Sequence, residues 1–121
     1  MYIYVVEDSQ LVLDQLLQAI AGVEEGVIAG SSGMAEAAIE EIRQLNPDLV
    51  ILDLQLAQGS GWDVLNALKS DGHAAKVIIL TNHAGYPFRA QSERLGADYF
   101  FDKANEFDRL LETVRKLSAA T

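Results

Sequence analysis

The sequence predicts an α/β domain: a doubly wound, five-stranded parallel sheet with helices on both faces. Three observations predict it. Short apolar bursts alternate five times with helix-period segments, the connections between them are short, and the bursts lack the polar alternation of half-exposed strands. Parallel strands are covered on both faces, so they read as continuous runs of β-branched and aromatic residues.

The bursts are Tyr2–Val6, Val27–Gly30, Leu49–Leu52, Val77–Leu80 and Tyr99–Phe101. Leu13, Leu16, Leu17 and Ile20 repeat at helical spacing, with Gly22 as the expected C-cap. Ala35, Ala38, Ile39 and Ile42 repeat it before Pro47, which stops the helix. Gly61, Val64, Leu65 and Leu68 form a third stripe behind Ser60, an expected N-cap, and Phe107, Leu110, Leu111 and Val114 a fifth behind Asn105. The fourth helix, Pro87–Leu95, differs. Pro87 suits its first position, but only Phe88, Ala90 and Leu95 are apolar, so few residues can anchor it to the sheet. For five such units the default is the flavodoxin-like order 2-1-3-4-5, whose topological switch lies between strands one and three.

A chain of 121 residues fits one domain, and its 50% hydrophobic content supports one core. No cysteine is present, which excludes disulfides, thiolate metal sites and cysteine nucleophiles. With 18 acidic and 9 basic residues the net charge is −9, which disfavours direct binding to nucleic acid or an anionic membrane. Apolar runs of about five residues are too short to span a bilayer, and Met1 runs into Tyr2–Val6 without a basic leader region. The expectation is a soluble cytoplasmic protein.

Ligands of open α/β sheets bind outside the carboxyl ends of the strands, at the switch point. There the first burst is followed by Glu7 and Asp8, the third by Asp53 and the fourth by Thr81, while the fifth runs through Asp102 to Lys103. With strands about 4.8 Å apart, the predicted order lays Asp8, Asp53, Thr81 and Lys103 along one edge. Crowded carboxylates do not all ionise without a cation, and Mg²⁺ accepts one or two of them together with phosphate oxygens. A carboxylate can accept a phosphoryl group, and a metal, an ammonium and a hydroxyl neutralise and position that group. A single aspartate at a strand end is more often a turn or cap residue; four segments in register carry the inference.

The segments Val5–Ser9, Val50–Leu56, Ile79–Asn82 and Phe100–Lys103 resemble, in order, the four signatures of response-regulator receiver domains of two-component signalling, the chemotaxis-Y-like switches. The resemblance implies that Asp53 is the phosphoacceptor and that Asp8 binds Mg²⁺ directly. It implies that Glu7 acts on the metal through water and that Gln55 offers its backbone carbonyl. Thr81 and Lys103 would contact the phosphoryl group, and Phe100 matches the family's switch aromatic. Gln55, Asn82 and His83 would form the rim, with Gln55 and His83 flanking the path of a hydrolytic water. Neither is acidic, so a fairly long-lived phosphoform is expected.

Three positions depart from the pattern: Ala57 and Ala104 stand where many members have proline, and Asn82 where a smaller residue is usual. A trans peptide before Ala104 and narrowed access to Asp53 are expected. The resemblance further implies one receiver domain over residues 1–121, standing alone, with no output domain. Its phosphodonor would be a histidine kinase or a histidine phosphotransfer protein. The face of fourth helix, fifth strand and fifth helix, with Arg89, Arg94 and Arg109, would dock a downstream protein or a second copy.

Rival readings fit less well. A dehalogenase-like phosphatase needs an acid two residues after its nucleophile, where Gln55 stands. A flavodoxin-type carrier needs a hydroxyl-rich loop in place of Glu7-Asp8. A pseudo-receiver, a binding module with the fold but no phosphorylation, is the alternative that Asn82 and Ala104 leave open. Gly30-Ser31-Ser32-Gly33 lacks the lysine of a phosphate loop and reads as a turn. Gly59–Gly61 reads as the entry to the third helix, Trp62 and Phe88 as packing residues, and His73 as remote from the site.

Overall fold

The computed structural model describes residues 1–120. Strands β1 (Tyr2–Val6), β2 (Val27–Ser32), β3 (Leu49–Leu52), β4 (Lys76–Thr81) and β5 (Tyr99–Asp102) alternate with helices α1 (Gln10–Ala21), α2 (Ala35–Leu45), α3 (Gly61–Ser70), α4 (Tyr86–Arg94) and α5 (Phe107–Ala120). The sheet is parallel in the order β2-β1-β3-β4-β5. The expected fold class is therefore the observed one.

Burial follows the period of two. Ile3, Val5, Ile51, Ile78 and Leu80 face α1 and α5, while Tyr4, Val6, Val50, Leu52, Val77 and Ile79 face α2 and α3. Strands β1 and β3 are apolar because both of their faces are covered. Register levels their ends: Val6 pairs with Leu52 and Leu52 with Ile79, while Thr81 pairs with Asp102. The residues that follow β1 and β3 thus emerge side by side at one edge.

Several local expectations are corrected. Ser31 and Ser32 belong to β2, which continues past Gly30 beside Val5 and Val6 instead of turning there. Helix α4 starts at Tyr86, so Pro87 is its second residue. Helix α5 starts at Phe107, which leaves Glu106 and not Asn105 immediately before it, and the Asn105 side-chain amide donates to Asp102 Oδ2. Ser60 does cap α3, in a reciprocal box with Asp63, and Gly22 ends α1. No cis peptide occurs among the described residues, Ala104 included.

Candidate functional site

The carboxyl edge gathers four segments into a cavity of about 280 Å³ lined by Asp8, Ser9, Asp53, Gln55, Leu56, Asn82, His83 and Lys103. Glu7 and Asp53 are buried, with 4% and 5% of their surface exposed, whereas Asp8 is exposed at the cavity wall. The Asp53 amide donates to Val6 O, and Glu7 continues the ladder by donating to Ser32 O. The two acids thus leave adjacent strands at one level.

Lys103 crosses from the far side of β4 to meet them. Its Nζ donates to Asp53 Oδ2 and lies 2.7 Å from both that atom and Glu7 Oε1. The Gln55 amide donates to Asp53 Oδ1, and the Ser9 amide to Glu7 Oε2. Burial raises the Glu7 carboxyl above its ordinary range; hydrogen bonds from Lys103 and Ser9 oppose the rise and the Asp53 charge adds to it. Burial works most strongly against the Lys103 charge, but the hydrogen bonds to Asp53 and Glu7 and the charges of both acids together outweigh it and raise its pKa.

Oxygens of Glu7, Asp8 and Asp53 lie within 4.8 Å of one another. Three carboxylates served by one ammonium form an oxygen-only, negatively charged set, which suits a hard divalent cation that keeps some of its waters. The residues fit Mg²⁺.

The rim differs from its lysine floor. His83 Nε2 and Gln55 Oε1 hydrogen-bond across the mouth. That pair also borders a second cavity of about 290 Å³ lined by Leu54, Trp62 and Phe88, so it separates a polar pocket from an apolar one. Thr81 is fully buried and does not line the cavity; its Oγ1 accepts from the His83 amide. Phe100 is half-buried, packed against the core beside α4, with the Arg89 guanidinium 4.7 Å above its ring. Asn82 is exposed at the rim. His73 lies away from the cavity, where its Nδ1 accepts from the Ala75 amide.

Sequence reading missed two residues here. A Cβ on Gly61 would stand 2.1 Å from the Asp53 carbonyl oxygen and 2.8 Å from Leu54 Cα, so only glycine lets α3 close onto the loop that follows β3. The Gly61 amide donates to Leu54 O at 2.8 Å. The available signal was a glycine opening a helix stripe, a costly choice unless backbone approaches closely. The second, Glu106 in the turn after β5, carried no signal beyond its spacing from Arg109.

The receiver-domain model of response regulators matches residues 3–115. This chain is a response-regulator receiver domain. It is 31% identical over 114 residues to the sensory transduction protein LytT of Bacillus cereus, covering 94% of this chain and 46% of that protein. The receiver domain of a LuxO repressor protein from Vibrio parahaemolyticus superposes with a TM-score of 0.87 at 30% identity, covering 98% of this chain and 92% of that one. A LuxR-family response regulator from Staphylococcus aureus shares the fold at 23% identity, with a TM-score of 0.88 over 97% of this chain and 98% of that one. The receiver domain spans about half the length of the LytT protein it matches. No helix among its described residues is long and apolar enough to cross a membrane.

Proposed function

We propose that this receiver domain is a Mg²⁺-dependent phosphoryl switch with Asp53 as acceptor, fed by a histidine kinase or a histidine phosphotransfer protein. The observation that carries the reading is the Lys103 ammonium, 2.7 Å from both Asp53 and Glu7 at the floor of a three-carboxylate cavity. Asp8 and Asp53, with the Gln55 carbonyl, would hold the metal, and Glu7 would reach it through water. Bound there, Mg²⁺ would neutralise phosphoryl oxygens and draw them to the acceptor.

An Asp53 carboxylate oxygen forms the new bond to phosphorus as the bond to the donor imidazole nitrogen breaks. The electron pair leaves with the imidazole. Lys103 meets one phosphoryl oxygen, moving part of its pairing from Asp53 to the product. The Thr81 hydroxyl is fully buried and does not line the cavity, so it would have to move to reach another; its oxygen accepts from the His83 amide, and that movement would carry the β4–α4 loop with it. Phosphorylation and loop position are thereby coupled through one hydroxyl. The Gln55–His83 pair lies over the same cavity and would restrict hydrolytic water.

Incubation with acetyl phosphate and Mg²⁺ should add one phosphoryl group by intact mass, and Asp53→Asn should abolish it. An unmodified wild-type chain that also fails to bind beryllofluoride would instead identify a pseudo-receiver. The output face would be α4–β5–α5, where Tyr86, Phe88 and Tyr99 are exposed beside Arg89, Arg94 and Arg109. Its occupant would be a downstream protein or a second copy, without direct nucleic-acid contact. Beryllofluoride should change amide exchange across Tyr86–Phe101; changes confined to loops around Asp53 would remove that face from the reading.

A further inference from the structure

The turn that delivers Lys103 has little apolar support. Ala104 and Asn105 are exposed, and the Lys103 amide donates back to Thr81 O at 3.0 Å. Carboxylates within the turn hold the rest. Asp102 Oδ1 accepts from the Ala104 amide at 2.9 Å, and Asp102 Oδ2 from the Asn105 side chain at 3.1 Å. The Glu106 amide donates to Asp102 O at 2.8 Å, and Glu106 Oε1 accepts from the Asp102 amide at 3.0 Å. Backbone and side chain of Glu106 therefore close the turn against Asp102 from both sides.

The same carboxylate reaches both flanking helices. Arg89 of α4 donates to Oε1 at 3.1 Å, and Arg109 of α5 to Oε2 at 3.3 Å. The Asp102 amide, then Arg89 and Arg109, hold the Glu106 carboxyl below its ordinary range against the effect of burial. A lysine side chain is long and flexible, so its placement over Asp53 depends on where its backbone is pinned.

We infer that Glu106 is a positioning residue for Lys103, closing through the Asp102 amide the turn that presents the ammonium to Asp53. The inference rests on Asp53 being the phosphoacceptor, and Glu106 itself touches no reacting atom. Two functions of its carboxylate can be separated: glutamine still offers an oxygen to the Asp102 amide, whereas alanine offers none.

The test compares wild type, Glu106→Ala and Glu106→Gln in the whole chain. Amide exchange without metal or phosphodonor should quicken about tenfold at Lys103 and Ala104 in Glu106→Ala, stay near wild type in Glu106→Gln, and leave Ile51 and Ile78 unchanged. Labelling of Asp53 by phosphoramidate with Mg²⁺ should then show a maximal rate about fivefold lower in Glu106→Ala, restored by Glu106→Gln, at a similar half-saturating donor concentration. Unchanged Lys103 exchange, an unchanged labelling rate, or equal losses in both variants would overturn the assignment. If Glu106→Ala fails to fold, Glu106→Asp, which withdraws the oxygen by one methylene, carries the same expectation. A wild-type chain that takes no phosphoryl group would overturn the functional reading, while the exchange measurement still decides the positioning.

Discussion

Helices α5 and α4 lie on opposite faces of the sheet beside the same edge strand, yet different physics holds them there. Helix α5 buries Leu110 and Val114 completely, with Phe107, Leu111 and Leu117 packed alongside. Helix α4 buries only Ser92, whose hydroxyl accepts from Trp62 Nε1 at 3.3 Å. The rest of its attachment is aromatic and cationic. Phe88 stacks on Trp62 with ring centroids 6.0 Å apart, His83 tilts against Phe88 at 5.5 Å, and Arg89 caps Phe100 and donates to its carbonyl. An apolar stripe is held by area, and any displacement exposes it. Directional ties worth about 1 kcal/mol each can be exchanged for others one at a time. The contrast suits α5 to be frame and α4 to be the moving part.

Truncating one side chain on each helix tests the two attachments directly. Leu110→Ala should destabilise the domain by about 2–5 kcal/mol, since the site is fully enclosed. Phe88→Ala, on a partly exposed ring, should cost no more than about 1 kcal/mol. Equal losses in chemical denaturation would show that α4 is as firmly built in as α5.

The hydrogen bond between Trp62 and Ser92 can be removed on its own. Trp62→Phe keeps the ring stack but withdraws the donor from Ser92, costing about 1 kcal/mol. Exchange should quicken across Tyr86–Arg94 and stay constant across Phe107–Ala120. Uniform quickening would mean that the Trp62–Ser92 bond supports the whole domain instead of α4.

The smallest effect is in pH. Because the folded-state pKa of Glu106 lies below its ordinary 4.5, its stabilisation is fully present above about 4.5 and is lost as pH falls through the folded value. The stability difference between wild type and Glu106→Gln should therefore shrink on acidification below about 4.5. Arg89 and Arg109 are substantially exposed, so added salt should weaken the difference at neutral pH. A difference that grows on acidification would contradict the ion pairing that ties α4 to the turn after β5.

The weak apolar pattern of Pro87–Leu95 already set α4 apart in the sequence, but its actual attachments were not legible. Trp62 and Ser92 are 30 residues apart, and Arg89 and Glu106 are 17 apart. No local spacing pairs them. The core was legible because hydrophobic period reports burial directly: the five bursts became the five strands, with β2 and β4 each two residues longer and β5 one residue longer.

The strand and helix alternation, the sheet order and the placing of Asp8, Asp53 and Lys103 at one carboxyl edge were legible in the sequence, whereas Thr81, expected beside them, is fully buried and does not line the cavity. The legible features follow from period, connection length and the geometry of parallel crossovers. Tertiary structure alone decided how those residues meet. It buried Glu7 beside Asp53 and left Asp8 in solvent, brought Lys103 to both buried acids, joined Gln55 to His83 across the mouth, and made Glu106 the knot between β5, α4 and α5. Polar contacts depend on distance and angle between segments far apart in the chain, and those are set only once the apolar faces have packed.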